Sequence, residues 1–531
     1  MTTVELIIIL LVATAALAWL ASRVRVPYPI FLTLAGLGIS QLSRLSHGHF
    51  RPVELNPEVV FLIFLPPLLY HAGLMTSWRD FRSNLRAISM LAVGLVLFTM
   101  IAIAFVAHYA IGIGWGPAFV LGAIISPPDA VAATAITQRL RVPKRIVTIL
   151  EGESLVNDAS ALIAYRVAIA AVAGGVFSLG DAGMKFVIAA TGGIAVGYAV
   201  GKIMVWIRPR IHDPSVEGFV ALLIPYIAFL PAEWLHLSGV LSVVTAGVFV
   251  GRKVPQIATS HGRLRLYAVW DTLVFLLNGL IFILIGLQLP AVIERLEMQS
   301  WGSLTGNVLV IGSTAILVRI LWVFPAAYLP RLIPSIRRRE PWPDPRQVFL
   351  VSWVGLRGIV SLAAALALPL AIPSGADFPS RDLIIFITFG VILMTLVGQG
   401  LTLPLVIKAL RIGADDIEER EEEVARLQLA NAALSRLQVM AILDESAVPM
   451  IDRVRQPYEQ RLNYYGPRRR GIIIDDAAAN CKTTDDVLRA ALGAEREMLL
   501  KLRDTGEIGD DVLRKLQMEL DLQEASLETE Q

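Results

Sequence analysis

A single cysteine, Cys481, occurs in 531 residues. It leaves no partner for an internal disulfide, and a lone thiol cannot by itself build a metal site. Charge is scarce as well: Asp, Glu, Lys and Arg make up 17% of the chain against 55% hydrophobic residues, and the mean hydropathy is +0.63. Such a composition excludes an ordinary soluble domain, which keeps much of its surface in water, and reads as a polytopic membrane protein. Catalytic signatures are also missing. There is no HExxH and no GxSxG, and the "GES" at 152–154 lacks both the second glycine and a membrane histidine placed to serve as its base. With no phosphate-binding loop and no single basic patch, neither nucleotide, nucleic acid nor any cofactor is expected to bind.

What is present is a succession of apolar runs of around 20 residues, about thirteen in all. The first, "VELIIILLVATAALAWLA", has no basic leader and no small-residue cleavage site, and is read as a retained helix. Basic residues alternate between the loops: about 22 fall on one side, from Arg23 and Arg25 to Lys408 and Arg411, and about five on the other. The positive-inside bias therefore predicts an amino terminus outside and a carboxyl tail in the cytoplasm. After residue 411 the composition changes to charged, helix-periodic sequence, "ADDIEEREEEVARLQLANAALSRLQ" and "LRDTGEIGDDVLRKLQMELDLQEASL", with 26 acidic and 16 basic residues. The predicted fold class is an all-α polytopic membrane protein of about 13 transmembrane helices with a cytoplasmic helical tail.

Ionisable residues inside the spans carry the functional signal, because an ion in hydrocarbon costs several kcal/mol without a partner or a wet cavity. The sixth span holds "EGESLVNDASALI". On a helix, Glu153 and Asn157 share one stripe and Ser154 and Asp158 the adjacent one, making a polar face. In the fifth span, "SPPDAVAAT", Pro127 and Pro128 remove two backbone donors just before Asp129. Irregular backbone at membrane depth persists only when buried in protein or lining a cavity, so Asp129 is placed beside freed amides and the positive end of a second half-helix. In the twelfth span, "SWVGLRGIVSLAAALALP", Gly355 and Gly358 bracket Arg357, a cation suited to the carbonyl end of a broken helix. Two interrupted spans seven apart suit an inverted repeat whose broken helices cross near the midplane. Arg319, isolated in the eleventh span, finds its best counter-ion in Glu153. Structural ion pairs in a receptor or scaffold would explain one such pair; the whole set points to ion transport.

The ordered set "PPDAVAAT", "EGESLVNDASAL", "LNGLIFILIGLQLP", "GLRGIVSLAAALALP", "TLVGQGLTLPLVI" and the tail's "LRDTGEIGDDVLRKLQMELDL" resembles the bacterial branch of the monovalent cation/proton antiporter family CPA1, which includes the eukaryotic sodium/proton exchangers. The resemblance spans nearly the whole chain. It implies a homodimer in the bacterial inner membrane, in contact with lipid, whose transmembrane domain (1–411) has a six-helix core at about 86–174 and 303–410. The dimerisation part would be about 1–75 and 216–289, the linker helix about 182–206, and the regulatory tail 412–531. It implies elevator-type exchange of sodium for protons, with lithium a further candidate cation. Asp158 of the Asn157–Asp158 pair is the ion and proton carrier, Asn157, Ser154 and Asp129 are the other ion-binding residues, and Glu153 with Arg319 forms a structural salt bridge.

The chemistry agrees. Carboxylate, hydroxyl, carbonyl and water oxygens suit a hard alkali cation. One carboxylate can hold either cation or proton, so the two compete. An aspartate ionised throughout the neutral range could not exchange them. Relatives with two adjacent aspartates are typically electrogenic, so Asn157 implies electroneutral 1:1 exchange. Two positions depart from the family pattern. Pro128 stands where a hydroxyl residue is common, leaving Ser126 or a backbone carbonyl to substitute. His71 replaces a common acidic residue; an unperturbed histidine titrates at about pH 6.5, so it is a candidate for pH tuning beside the plainer reading of a hydrogen-bonded structural residue. Asn278 and Gln288 read as interhelical amides, and Glu151 and Asp271 as markers of span ends. The alternatives are a potassium/proton antiporter of the same mechanism, a cation channel, and a cation/organic-acid symporter.

Overall fold

The computed structural model describes residues 3–24, 27–45, 58, 60–129, 142–174, 178–211, 213–288, 300–340, 342–372, 375–413, 417–444, 447–465 and 484–529. It is all-helical, with one isolated antiparallel bridge, Ala371 to Asp377, among the described residues. Eight helices there are long and apolar enough to cross a membrane, and three shorter apolar helices accompany them.

In chain order the helices are α1 (Thr3–Val24), α2 (Tyr28–Leu45), α3 (Val60–Met75), α4 (Leu85–Ile111), α5 (Trp115–Ile125), α6 (Lys144–Gly174), α7 (Leu179–Ile207), α8 (Pro214–Trp234), α9 (Gly239–Ile257), α10 (Ser260–Leu287), α11 (Trp301–Tyr328), α12 (Pro345–Trp353), α13 (Ile359–Leu366) and α14 (Arg381–Leu410). The charged part adds α15 (Ile417–Leu443), α16 (Val448–Tyr465), α17 (Thr484–Thr505) and α18 (Asp510–Thr529). Two compact units result: residues 1–206, 222–251 and 270–414, and residues 207–221, 252–269 and 415–531.

In the first unit, two buried aliphatic clusters form the core, one centred on Leu91, Leu277 and Leu356 and the other on Ile103, Leu121 and Ile387. Some helices meet backbone to backbone. A Cβ on Gly36 of α2 would strike the Ile283 carbonyl of α10, and one on Gly286 of α10 would strike the Thr33 carbonyl of α2. The ninth apolar run, expected at 238–250, is a 19-residue helix continuing through Arg252 and Lys253 to Ile257. The tenth begins at Ser260 rather than 266.

The second unit is built from amphipathic helices whose apolar faces pair around Leu429, Leu492, Leu499 and Leu513. Gly506, at φ +81°, reverses the chain between α17 and α18, and Glu507 N–H donates to the Leu502 carbonyl at 2.9 Å. Such a left-handed C-terminal cap suits glycine. Within this unit the Arg263 guanidinium holds the buried Asp521 carboxylate, Nε at 2.8 Å.

Candidate functional site

The site is built where α5 ends, where α12 breaks before α13, and on the continuous helix α6. α5 stops at Ile125, and Ser126 still donates its N–H to Gly122 O at 3.0 Å before the two prolines end the ladder. The half-helix expected after Asp129 falls in 130–141, outside the described residues. α12 starts on a side-chain cap, Asp344 accepting from Arg346 N–H at 2.9 Å with Pro345 in the first turn, and ends at Trp353. Residues 354–358 are non-helical, and α13 resumes at Ile359.

A helix that ends inside a protein leaves carbonyls without partners. Here each is met. Arg319 Nη2 donates to Val351 O at 3.1 Å, Gln399 Nε2 to Trp353 O at 2.9 Å, and Arg357 Nη1 to Gly355 O at 2.9 Å. Asp129 N–H donates to Leu356 O at 2.7 Å, which is where the segment after α5 crosses the break between α12 and α13. Asn157 of α6 donates its amide to Pro128 O at 2.7 Å, fixing the first break to the continuous helix. Gly358 completes the crossing by absence: a Cβ there would overlap the Asp129 carboxylate.

Beside this crossing lies a cavity of about 680 Å³. Asp129, Glu151, Ser154, Asp158 and Ser361 line one part of it. Tyr28, His71 and Asn278, from α2, α3 and α10, line another, and the Asn278 amide pairs with the Tyr28 hydroxyl. Asp158 is buried, 8% exposed, while Ser154 and Asp129 are partly exposed. The adjacent stripe of α6 faces elsewhere. Glu153 takes two hydrogen bonds from Arg319, at 2.6 and 2.8 Å, and both side chains are fully enclosed. A bidentate, mutually neutralising pair is the form in which two buried charges are tolerated.

Asn157 is buried and is not among the cavity-lining residues. Arg357 is likewise buried, its N–H donating to Thr395 Oγ1 at 3.1 Å. His71 Nε2 lies 3.7 Å from Asp271 Oδ1, and its ring stacks on Trp270 at 6.0 Å. One expectation is corrected: Ser126 does not stand in for a missing ion-contacting hydroxyl, because it is buried and is not among the residues lining the cavity, its hydroxyl donating to Ala123 O in its own helix. Glu151 lies two turns into α6, which starts at Lys144, and it lines the cavity. Sequence reasoning missed Ser361, Tyr28 and Gln399. Only Gln399 had a local signal, its place in "TLVGQGLTLP".

Comparison with known proteins decides the family. The family description "Sodium/hydrogen exchanger, transmembrane" matches residues 7–409. The chain belongs to the sodium/hydrogen exchanger family. It is 36% identical over 536 residues to an uncharacterized Na+/H+ exchanger of Mycobacterium tuberculosis, covering 98% of this chain and 96% of that protein. It is 32% identical over 551 residues to the uncharacterized Na+/H+ exchanger YjcE of Escherichia coli, covering 98% of each. A Bacillus subtilis sodium, potassium, lithium and rubidium/H+ antiporter is 34% identical over 413 residues, 76% of this chain and 61% of that one. The sodium/proton antiporter MjNhaP1 of Methanocaldococcus jannaschii, at pH 8, shares the fold with a TM-score of 0.57 at 19% identity, over 77% of this chain and 98% of that one. This exchanger is thus a multi-pass membrane protein of a cation/proton antiporter family.

Proposed function

We propose that this exchanger moves sodium, and lithium, against protons by elevator-type alternating access, with Asp158 binding cation and proton in competition. The observation that carries the reading is the cavity in which Asp158, Asp129 and Ser154 meet where the segment after α5 crosses the break between α12 and α13. Its oxygen donors suit an alkali cation. The neighbouring carboxylate of Glu153 is already neutralised by Arg319 and is unavailable to the ion.

In this reading Asp158 and Asp129 hold the ion with the Ser154 hydroxyl, Asn157 holds the broken backbone at Pro128, and Arg357 compensates the carbonyl end of α12. Exchange is one cation per proton, as the resemblance to exchangers with the Asn-Asp pair implies. The chain works as a homodimer in the bacterial inner membrane, its amino terminus outside and its tail inside. It needs no cofactor. Residues 86–174 and 303–410 form the moving core, 1–75 and 216–289 the dimerisation part, 182–206 the link, and 412–531 a regulatory tail. The name of the Bacillus subtilis relative, which includes potassium, favours a second reading: the same mechanism with broader cation choice.

The test is proton release from acid-loaded everted vesicles on adding sodium, lithium or potassium. Wild type should collapse the gradient with sodium and lithium, and Asp158→Asn should abolish the response. A response to potassium alone would change the substrate. A sodium-driven current through reconstituted protein would defeat the 1:1 stoichiometry.

A further inference from the structure

Four membrane-crossing or membrane-depth segments end at one place away from the ion cavity. Arg86 stands at the start of α4, Arg145 at the start of α6 and Arg331 just past α11, while Gln347 lies in the first turn of α12. All four line a pocket of about 80 Å³. At the threshold for a single water, roughly 10–15 Å³, that volume holds about five water-sized groups, enough for a phosphoryl group.

Among the described residues lining this pocket or bonded to its arginines, guanidinium groups outnumber carboxylates. Glu340 is the shared carboxylate: it accepts from Arg86 Nη2 at 2.6 Å and from Arg331 Nη2 at 3.0 Å, with Arg145 Nη2 at 4.0 Å. Arg145 also donates to the Asn84 side chain at 3.2 Å. Three guanidinium groups thus converge on one carboxylate. Two nitrogens of Arg86, Nε and Nη1, are buried without a hydrogen-bond partner. A buried guanidinium nitrogen left unmet is unfavourable, so a small shift of Arg86 toward an acceptor at the pocket is favoured. Below the arginines the walls are apolar: Met90, Ile149, Val323 and Val348.

We propose that this pocket binds the phosphate headgroup of an anionic phospholipid, with Arg86 and Arg145 on the phosphate and the adjoining acyl chain against Ile149 and Val323. A phosphate with two or three guanidinium groups forms the planar, charge-assisted pairs that arginine makes well. Helix ends set the level of the headgroup region, and basic pockets between membrane helices at that level select anionic lipid. The apolar walls favour a lipid over a soluble phosphate. Glu340 holds the arginines together and competes with the headgroup for them.

The test uses purified full-length protein in detergent, following its thermal midpoint with added phosphatidylglycerol, phosphatidylcholine or inorganic phosphate. Phosphatidylglycerol alone should raise the midpoint. Arg145→Gln, on the pocket's exposed rim, should weaken its apparent affinity roughly tenfold, the loss expected for one charge-assisted contact. Glu340→Gln should have the opposite sign and tighten it, because the competing carboxylate is gone. The proposal is overturned if phosphatidylcholine matches phosphatidylglycerol, if inorganic phosphate gives the full shift, or if both variants change the affinity in the same direction. Should a variant fail to fold, native mass spectrometry of wild type decides the matter, since no retained phosphatidylglycerol over phosphatidylcholine overturns it too. None of these readouts depends on transport.

Discussion

Replacing Gly358 by alanine adds one methyl group at the crossing, and its effect follows from the geometry there. The backbone at Gly358, φ −139° and ψ −152°, is extended and open to any residue, so the substitution brings no conformational strain of its own. The difficulty is contact. The new Cβ would lie 2.5 Å from Asp129 Cγ and 2.6 Å from Asp129 Cβ, against an optimum of about 3.5–4.0 Å between carbons. Asp129 must therefore retreat by about 1 Å. It cannot retreat freely, because its N–H is tied to Leu356 O at 2.7 Å. Overpacking of this kind costs about 1–3 kcal/mol in stability. A 1 Å displacement of a positioned functional group can lower rates by about a hundredfold. In proteoliposomes, sodium-driven dissipation of a pH gradient should fall at least tenfold in Gly358→Ala, with a folded protein by size exclusion. Gly306→Ala in α11, where nothing lies within 4 Å of the added Cβ, should transport like wild type. Wild-type transport by Gly358→Ala, or an equal loss in both variants, would refute the argument that Asp129 must be held at the crossing.

Two further outcomes concern stability. Arg319→Met leaves the Glu153 carboxylate buried and unpaired, which costs about 3–5 kcal/mol; the thermal midpoint should drop sharply, and the double variant Glu153→Gln/Arg319→Met should recover part of the loss. In the tail, burial first of all pushes the Glu495 carboxyl above its ordinary value of 4.5, with Tyr458, Arg461 and Arg496 opposing. An acid raised by folding contributes stability that is full below about pH 4.5 and is lost as pH rises through the folded value. Glu422 and Glu524 behave oppositely: burial alone would raise them, but contacts with Lys515 and Arg426, and with Arg496 and Ser260, bring both below 4.5, so their contribution fades only under more acid conditions. Limited proteolysis of the full chain from pH 5 to 8, corrected for protease activity, should therefore show the tail becoming more cleavable with rising pH, and Glu495→Gln should flatten that trend. An unchanged slope in the variant would contradict it.

Much of this was legible in residue order, for physical reasons. Charge in an apolar run is so unfavourable that Glu153, Asp158, Arg319 and Arg357 announce themselves, and prolines before Asp129 announce a break. Helical periodicity separates Ser154 and Asp158 from Glu153 and Asn157 on α6, and the structure turns one stripe to the cavity and the other to Arg319 and Pro128. What sequence hid is what depends on distant elements. Nothing local marks Tyr28 or Ser361 as cavity residues. Nothing local shows that Glu151, near the start of its span, lines the cavity. Ser126 looked available because a sequence does not show that its side chain is enclosed away from the cavity.

The contact of α2 with α10 through Gly36 and Gly286 has a mechanical consequence. Two helices separated by side chains can slide, because rotamers change and the interface repacks. Two helices touching carbonyl to Cα have no intervening layer to rearrange, so any shear between them meets the hard wall of the backbone. These two helices carry Tyr28 and Asn278 on one side of the cavity, and they should behave as a single stiff beam. Spin labels placed on α2 and α10 would then report one narrow, unchanging distance at every pH and sodium concentration.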